Sequence, residues 1–571
     1  MASRDVRRRR RPEKKSPAKA SAAPASPSLL SRLAAELLPR SSSDRKILLG
    51  LLALSFVLRA YNLLGMFPVL VDEAIYLRWA EIIDHQGQWL ISLLDGKPVL
   101  SYWLLALQRM IFGGDPLYGA RLLSAAAGVF STIGLFAVAR RLAPMEAAER
   151  AGLIGAGLYA VFPYALLYDR LAYTEAWINL VGIMIALTSL WCFSREEGDW
   201  RLGLVPGIVF GLGIFTKQTA VLFGLVPAAM ALWFTASPLR TRLARLATVY
   251  AVGIVFVAAN FALTPEAPML ETHDAVLHHT GFFADSQELM KDPLVAARSN
   301  FPKLASYAGT YLGWPLILAA AAGAVWLGRS GSPALWLLLS CAIIPVVVEA
   351  FLLELMFPSR YPFPHFWPWL AVAAAGVAAA WERMRQSEIA PTQRRATLAA
   401  AALALVGPML YRDAFMLATP REGLHVSDAA GFLGDHAHVG YGIRKALDFL
   451  IAESGKGGFI LLTDPIWGPP SDAVFPYLNE RNGIRVYEAW WTQLSGNHEI
   501  LPRGGADVLK SHYERVKAGV VDFSRAERVF YLTDTYYYNQ QAVLLRQPNA
   551  QLVARFKKPV GDDSIDVYRL K

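Results

Sequence analysis

A run of about 20 mostly apolar residues is what a helix needs to cross the hydrocarbon core of a bilayer, and this chain repeats such a run about eleven times. The runs lie at 46–65, 118–139, 152–168, 173–193, 202–215, 219–235, 246–264, 306–327, 334–355, 363–381 and 396–414. In lipid each backbone N–H and C=O must be satisfied within its own segment, so the series predicts an α-helical polytopic membrane protein. The composition agrees: 54% of the 571 residues are hydrophobic and only 18% are charged, too little charge to cover several soluble domains. The runs at 202–215 and 219–235 are short and separated only by Thr216-Lys217-Gln218, the pattern of a hairpin that barely crosses.

The basic residues set the expected orientation. A net charge of +10 could suggest nucleic acid, but eight Arg or Lys fall between Arg4 and Lys15 and many others flank apolar runs. A positive-inside topology accounts for this distribution without any nucleic acid. With the N-terminus in the cytoplasm, the Arg-rich segments Arg140-Arg141 to Arg150, Arg195 to Arg201, Arg240 to Arg245, Arg329 and Arg383 to Arg395 all fall inside. The loops at 66–117, 169–172, 216–218, 265–305 and 356–362 then fall outside, with everything after residue 415. That alternation favours an odd number of spans, and the absence of Cys outside the spans with the Ala/Arg-rich composition leans toward a plasma (inner) membrane. Residues 1–45 are expected to be a disordered basic cytoplasmic tail, and 46–415 the transmembrane domain. Cys192 and Cys341 both lie in apolar runs, so no disulfide framework is readable.

Two regions break the spanning pattern. The outer loop at 66–117 has helical periodicity around Glu73 to Asp84 and again from Val99 to Phe112, as expected of helices lying flat at the interface. After residue 416 the apolar runs shorten to strand length at 458–463, 484–487, 529–532 and 552–556, with a helical pattern at 441–452 before them. A small C-terminal α/β domain on the outer side, 416–571, is the expectation.

Charged residues near the outer ends of spans are few, and each needs a reason. Asp72-Glu73, Lys97, Asp169, Arg170, Glu175, Lys217 and Arg360 all reach the same face by this topology. Acids and cations at one depth suit an anionic lipid headgroup beside a hydroxyl to be activated. Transfer of a sugar from a polyprenyl phosphate builds negative charge on the departing phosphate, which Lys and Arg stabilise. A carboxylate would take the acceptor's proton. A second acid could orient a substrate or hold a divalent ion. One displacement of this kind inverts the anomeric carbon, without the carboxylate nucleophile of retaining glycosidases.

Several short motifs carry a resemblance. They are Val71-Asp72-Glu73-Ala74-Ile75-Tyr76, Gly96-Lys97-Pro98-Val99-Leu100-Ser101-Tyr102-Trp103, Phe112-Gly113 and Ala120-Arg121-Leu122-Leu123-Ser124. Further along stand Asp169-Arg170-Leu171-Ala172-Tyr173-Thr174-Glu175, Gly211 to Lys217 and Ser359-Arg360-Tyr361-Pro362. In this order they resemble the family 39-type glycosyltransferases, GT-C membrane enzymes related to the protein O-mannosyltransferases and to the aminoarabinose transferases that modify lipid A. Val99 departs from the family's second proline. The resemblance spans about 46–382 and does not reach the tail. It implies a GT-C-like fold and a polyprenyl-phosphate sugar donor, with an acceptor that is lipid, glycan or protein. It implies Asp72 as catalytic base, Glu73 as its neighbour and Glu175 as the second acid. Lys97, Lys217 and Arg360 would contact the donor phosphate, and Arg121 would orient the first outer loop. Tyr76, Tyr361, Asp169 and Arg170 belong to the same motifs as supporting residues. No required cofactor is readable, and a divalent cation is compatible with the acids.

A structural reading stands beside each of these. Asp72 and Glu73 suit the first turn of a helix, Lys97 suits a snorkelling lysine, and Lys217 suits a hairpin tip. Asp169 and Arg170 suit a local ion pair, and Glu175 a helix-start acid. His365 sits in an aromatic belt from Phe357 to Trp369 and reads as structural. His273 and His278-His279 lack a spacing that fits a metal site. Trp490-Trp491 and Tyr536-Tyr537-Tyr538 read as core of the small domain rather than a sugar platform. The rival function is a flippase for lipid-linked sugars, which would need ionisable groups near mid-membrane.

Overall fold

The computed structural model describes residues 37–263, 286–353, 358–434, 439–464, 468–478, 483–488, 526–537 and 540–571. The expected basic tail up to residue 36, His273, His278-His279, Trp490-Trp491 and Tyr538 lie outside them.

Six helices among the described residues are long and apolar enough to cross a membrane: Pro116–Leu142, Glu175–Phe193, Leu239–Leu263, Ala334–Leu352, Phe363–Gln386 and Pro391–Ala418. The chain is an integral membrane protein. The helices divide into inner and outer ones. In Phe363–Gln386 83% of the apolar window is buried, whereas in Leu239–Leu263 only 17% is. The apolar side chains that the outer helices leave exposed, such as Ile254, Val255 and Leu403, are those a hydrocarbon solvent accepts. Val295–Tyr311 and Trp314–Arg329 pass the same test as a pair but are bent by 98°. The straight span expected at 306–327 is therefore broken. Gly313 has φ +77 and Pro315 follows it, so the ladder bond back to residue 311 has no donor. The other four apolar runs give shorter or more charged helices, and six or seven spans, not eleven, meet the criterion of length and composition. The run at 152–168 splits into Ala148–Ala160 and Pro163–Tyr168, and 202–235 gives Leu204–Thr216 and Leu225–Trp233 with a tight turn of helix between them.

Helix Ser42–Ala60 begins inside the segment expected to be tail. Ser41 caps it, its Oγ accepting from the Asp44 amide at 3.0 Å. Pro116–Leu142 starts in the same way on Asp115, whose side chain accepts from the Tyr118 amide at 2.9 Å.

The C-terminal part forms a five-stranded sheet in the order β4-β3-β5-β7-β6. The strands are β3 Phe459–Thr463, β4 Ile484–Glu488, β5 Val529–Asp534, β6 Gln551–Lys557 and β7 Ser564–Arg569. β4, β3 and β5 run parallel, and β7 turns antiparallel against both β5 and β6. Strand β7 went unread because its polar members do not alternate outward. Asp566 is buried and ion-paired with Arg555 at 2.7 Å.

This sheet domain is docked onto the segment at 66–117. Strand β1, Val69–Leu70, pairs antiparallel with β2, Val439–Gly440. Helix Ser471–Leu478 packs along helix Val71–Gln86, with the Arg78 guanidinium 3.7 Å over the Phe475 ring. Arg109 ties Asp84 at 2.9 Å to the Pro476 carbonyl at 3.1 Å, and Arg444 pairs with Asp115 at 2.8 Å. Helix Val71–Gln86, expected to lie at the interface with one face toward lipid, consequently leaves no such face open from Glu73 to Ile83. Every residue from Glu73 to Ile83 is buried, between Leu100–Phe112 and Ser471–Leu478.

Candidate active site

The site is assembled where β1 leads into helix Val71–Gln86. Successive residues of a helix point about 100° apart, so the neighbours Asp72 and Glu73 face different surroundings. The Asp72 carboxylate forms an ion pair with Arg360 from the loop before Phe363–Gln386. Burial works against the Asp72 charge, but Arg360, Lys97 and Lys217 outweigh it and hold the carboxyl below the usual carboxylate range. Burial also opposes the Arg360 charge, and Asp72 overcomes it, holding the guanidinium firmly protonated.

A second pair completes the cluster. Glu175 opens helix Glu175–Phe193, and its Oε1 lies 2.7 Å from Lys217 Nζ. Lys217 occupies the extended break between Leu204–Thr216 and the following turn, where φ is −159. Gln218 next to it donates to the Gly96 carbonyl at 2.7 Å and so ties the break to Gly96-Lys97. The Lys97 ammonium sits 5.4 Å from the Tyr76 ring centre and 5.3 Å from that of Trp79. Tyr361 bridges the other two cations, 5.3 Å from Lys217 and 5.4 Å from Arg360. Two acids and three cations, walled by Tyr76, Trp79, Tyr173 and Tyr361, thus share one partly open spot.

Glu73 does not join them. Its carboxylate accepts from Arg121 Nε at 2.8 Å and Nη2 at 2.5 Å, from the Ala172 amide at 2.8 Å and from the Leu70 amide at 3.1 Å. The remaining Arg121 donors reach the carbonyls of Leu63, Phe67 and Pro68. Both side chains are fully buried. Asp169 and Arg170 do not pair with each other, because consecutive side chains diverge. Asp169 pairs with Arg59 at 2.8 Å, and Arg170 donates to the carbonyls of Leu58 and Tyr61. His365 is buried, with Nδ1 2.8 Å from the Cys341 carbonyl. Among the described residues no group of three or more His, Cys, Asp or Glu is arranged to hold a metal ion.

Trp79, Tyr173, Gln218 and Arg59 were not singled out in the sequence. The signal for Arg59 was present, as an arginine inside an apolar run needs a buried acid. The aromatic residues gave none, since their role depends on which helix face meets Lys97.

Residues 96–263 match the protein family described as dolichyl-phosphate-mannose-protein mannosyltransferase. An undecaprenyl phosphate-alpha-4-amino-4-deoxy-L-arabinose arabinosyl transferase of Pseudomonas aeruginosa is 28% identical over 316 residues, 50% of this chain and 54% of that protein. A relative of the same name from Pseudomonas paraeruginosa is 29% identical over 199 residues, 31% of this chain and 34% of that protein. The chain therefore spans about half or less of the length of these curated relatives. Among solved structures, apo ArnT from Cupriavidus metallidurans superposes with a TM-score of 0.58 at 16% identity, covering 93% of this chain and 99% of that one. The archaeal oligosaccharyltransferase AglB from Archaeoglobus fulgidus gives 0.51 at 12% identity, covering 86% and 69%. By these superpositions the chain shares the GT-C fold of these solved structures, and its segment at 96–263 is similar to the family described as dolichyl-phosphate-mannose-protein mannosyltransferase.

Proposed function

We propose that this chain is an inverting transferase that moves a sugar from a polyprenyl-phosphate donor onto an acceptor hydroxyl at the outer face of the membrane. The observation that carries the reading is the pairing of Asp72 with Arg360 and of Glu175 with Lys217, beside Lys97, in one spot. The named chemistry of the relatives, and a neighbouring ArnT structure described as bound to undecaprenyl phosphate, support the donor class.

Lys97, Lys217 and Arg360 receive the phosphate. Arg360 Nε is buried with no hydrogen-bond partner among the described residues, so a donor remains for an anion. The anomeric C–O bond breaks and its electron pair passes to the phosphate oxygen, whose growing charge the three cations stabilise. The acceptor oxygen bonds to the opposite face of the anomeric carbon and gives its proton to Asp72. A carboxylate of low pKa is a weak base, so it takes the proton late, once bond formation has made the hydroxyl acidic. Glu175 holds Lys217 in place and orients a sugar hydroxyl. Glu73 and Arg121 keep the loop that carries Asp72 in register. In this reading the N-terminus is cytoplasmic, the docked sheet domain lies outside, and a divalent cation is not needed to neutralise the phosphate.

The test uses purified protein in liposomes with a polyprenyl-phosphate sugar labelled in both parts and a cell-envelope extract as acceptor source. The expected result is released polyprenyl phosphate and a product of inverted anomeric configuration. Intact donor crossing the bilayer would make the chain a flippase, and a retained configuration would overturn the single displacement.

A further inference from the structure

Arg360 extends from a short loop, and the residue before it is held by a network the transfer reaction does not use. The Ser359 hydroxyl donates to Asp428 Oδ1 at 2.5 Å and lies 2.6 Å from the Tyr168 hydroxyl. The Ser359 carbonyl accepts from the Tyr164 hydroxyl. The second Asp428 oxygen accepts from the Tyr311 hydroxyl, whose oxygen takes the His425 amide at 3.1 Å. Asp428 lies in helix Val426–Leu433, beyond the last span, and reaches back 69 residues to this loop. Both Asp428 and Ser359 are buried.

A buried carboxylate served only by hydroxyls is a costly way to fasten a loop. Among the described residues no cation pairs with Asp428. The titratable groups turned toward it are the phenols of Tyr164, Tyr168, Tyr307 and Tyr311, while the His425 ring on its own segment lies against the Ser306 hydroxyl and the Ser427 amide. Burial pushes its carboxyl up to about 6. The hydrogen bonds are directional and converge on one residue, the one that sets where the Arg360 backbone begins.

We infer that Asp428 is a positioning residue for Arg360: by holding Ser359 it fixes the guanidinium opposite Asp72 and sets how firmly the cluster grips the donor phosphate. This rests on the transferase reading of the cluster. It gives the C-terminal region a direct part in the site, separate from its docking on helix Val71–Gln86.

The experiment is a double-mutant cycle read by binding of free undecaprenyl phosphate to the full chain in detergent, with thermal unfolding measured alongside. Losing a hydrogen bond to a charged group corresponds to roughly tenfold or more in affinity, so Asp428→Ala is expected to weaken binding about tenfold. In an Arg360→Ala background the same change is expected to add nothing to the binding defect while still lowering the unfolding temperature. Ser359→Ala, which keeps the carboxylate, is expected to behave in the same way and carries the test if Asp428→Ala does not fold. Effects on affinity that add in full, or unchanged affinity in the single variants, overturn the inference alone. Unchanged affinity in Arg360→Ala overturns both the inference and the donor-phosphate reading beneath it.

Discussion

Asp72 and Glu73 are chemically almost identical neighbours in one helical turn, yet the fold puts them to opposite uses. Glu73 and Arg121 are completely shielded, and the Glu73 carboxylate accepts from two backbone amides as well as from the guanidinium. Asp72 and Arg360 keep part of their surface open, 15% and 24% of the side chain, and Lys97 and Lys217 add to the field around them. The first pair is internally satisfied and has nothing left to offer a substrate. The second holds more positive charge than its acids neutralise, as an anion-binding site requires. An ion pair of this kind is thus a lock when its donors are used up and a site when some are spare.

The largest expected effect breaks the lock. Glu73→Ala leaves the Arg121 guanidinium buried without its counter-charge, at a cost of about 3–5 kcal/mol. The variant should unfold at markedly lower temperature or fail to accumulate in membranes, measured by thermal unfolding in detergent. A stable Glu73→Ala protein that is merely inactive would move Glu73 into the chemistry.

The smallest effect sharpens the contrast through pH. The Asp72 carboxyl is held below its usual range, so its pairing with Arg360 contributes stability that is fully present above an unfolded-state pKa of about 3.9 and is lost as pH falls through the lower folded value. The difference in unfolding temperature between the native chain and Asp72→Asn should therefore stay constant from pH 8 to pH 5 and shrink only below about pH 4. A difference that fades between pH 7 and pH 5 would mean that the pair is not formed as described.

The spans were legible because hydrocarbon is an unforgiving solvent, and runs such as 118–139 and 173–193 leave a helix little alternative. The charged motifs were legible too, since Asp72, Glu175, Lys217 and Arg360 lie at or near an end of an apolar run and Lys97 lies in the loop at 66–117 between two of them. What sequence spacing did not resolve was direction. It could not tell which of Asp72 and Glu73 turns toward Arg360, because that depends on the phase at which β1 feeds the helix, and β1 is fixed by pairing with Val439. It put Asp169 beside Arg170, while the partner is Arg59, 110 positions away. The bend at Gly313 and the docking of Ser471–Leu478 on Val71–Gln86 are likewise outcomes of packing between distant segments. Only Gly313 and Pro315 hinted at the first, and nothing local hinted at the second.

The division between lock and site is tested most directly by Asp72→Asn, a change of one atom that leaves Glu73 and Arg121 untouched. In the labelled-donor assay the account predicts a fall in the rate of sugar transfer of about 10²–10⁴-fold, with membrane insertion retained and the unfolding temperature lowered only by the contribution of the Asp72–Arg360 pair. Transfer retained within a few-fold of the native rate would contradict it.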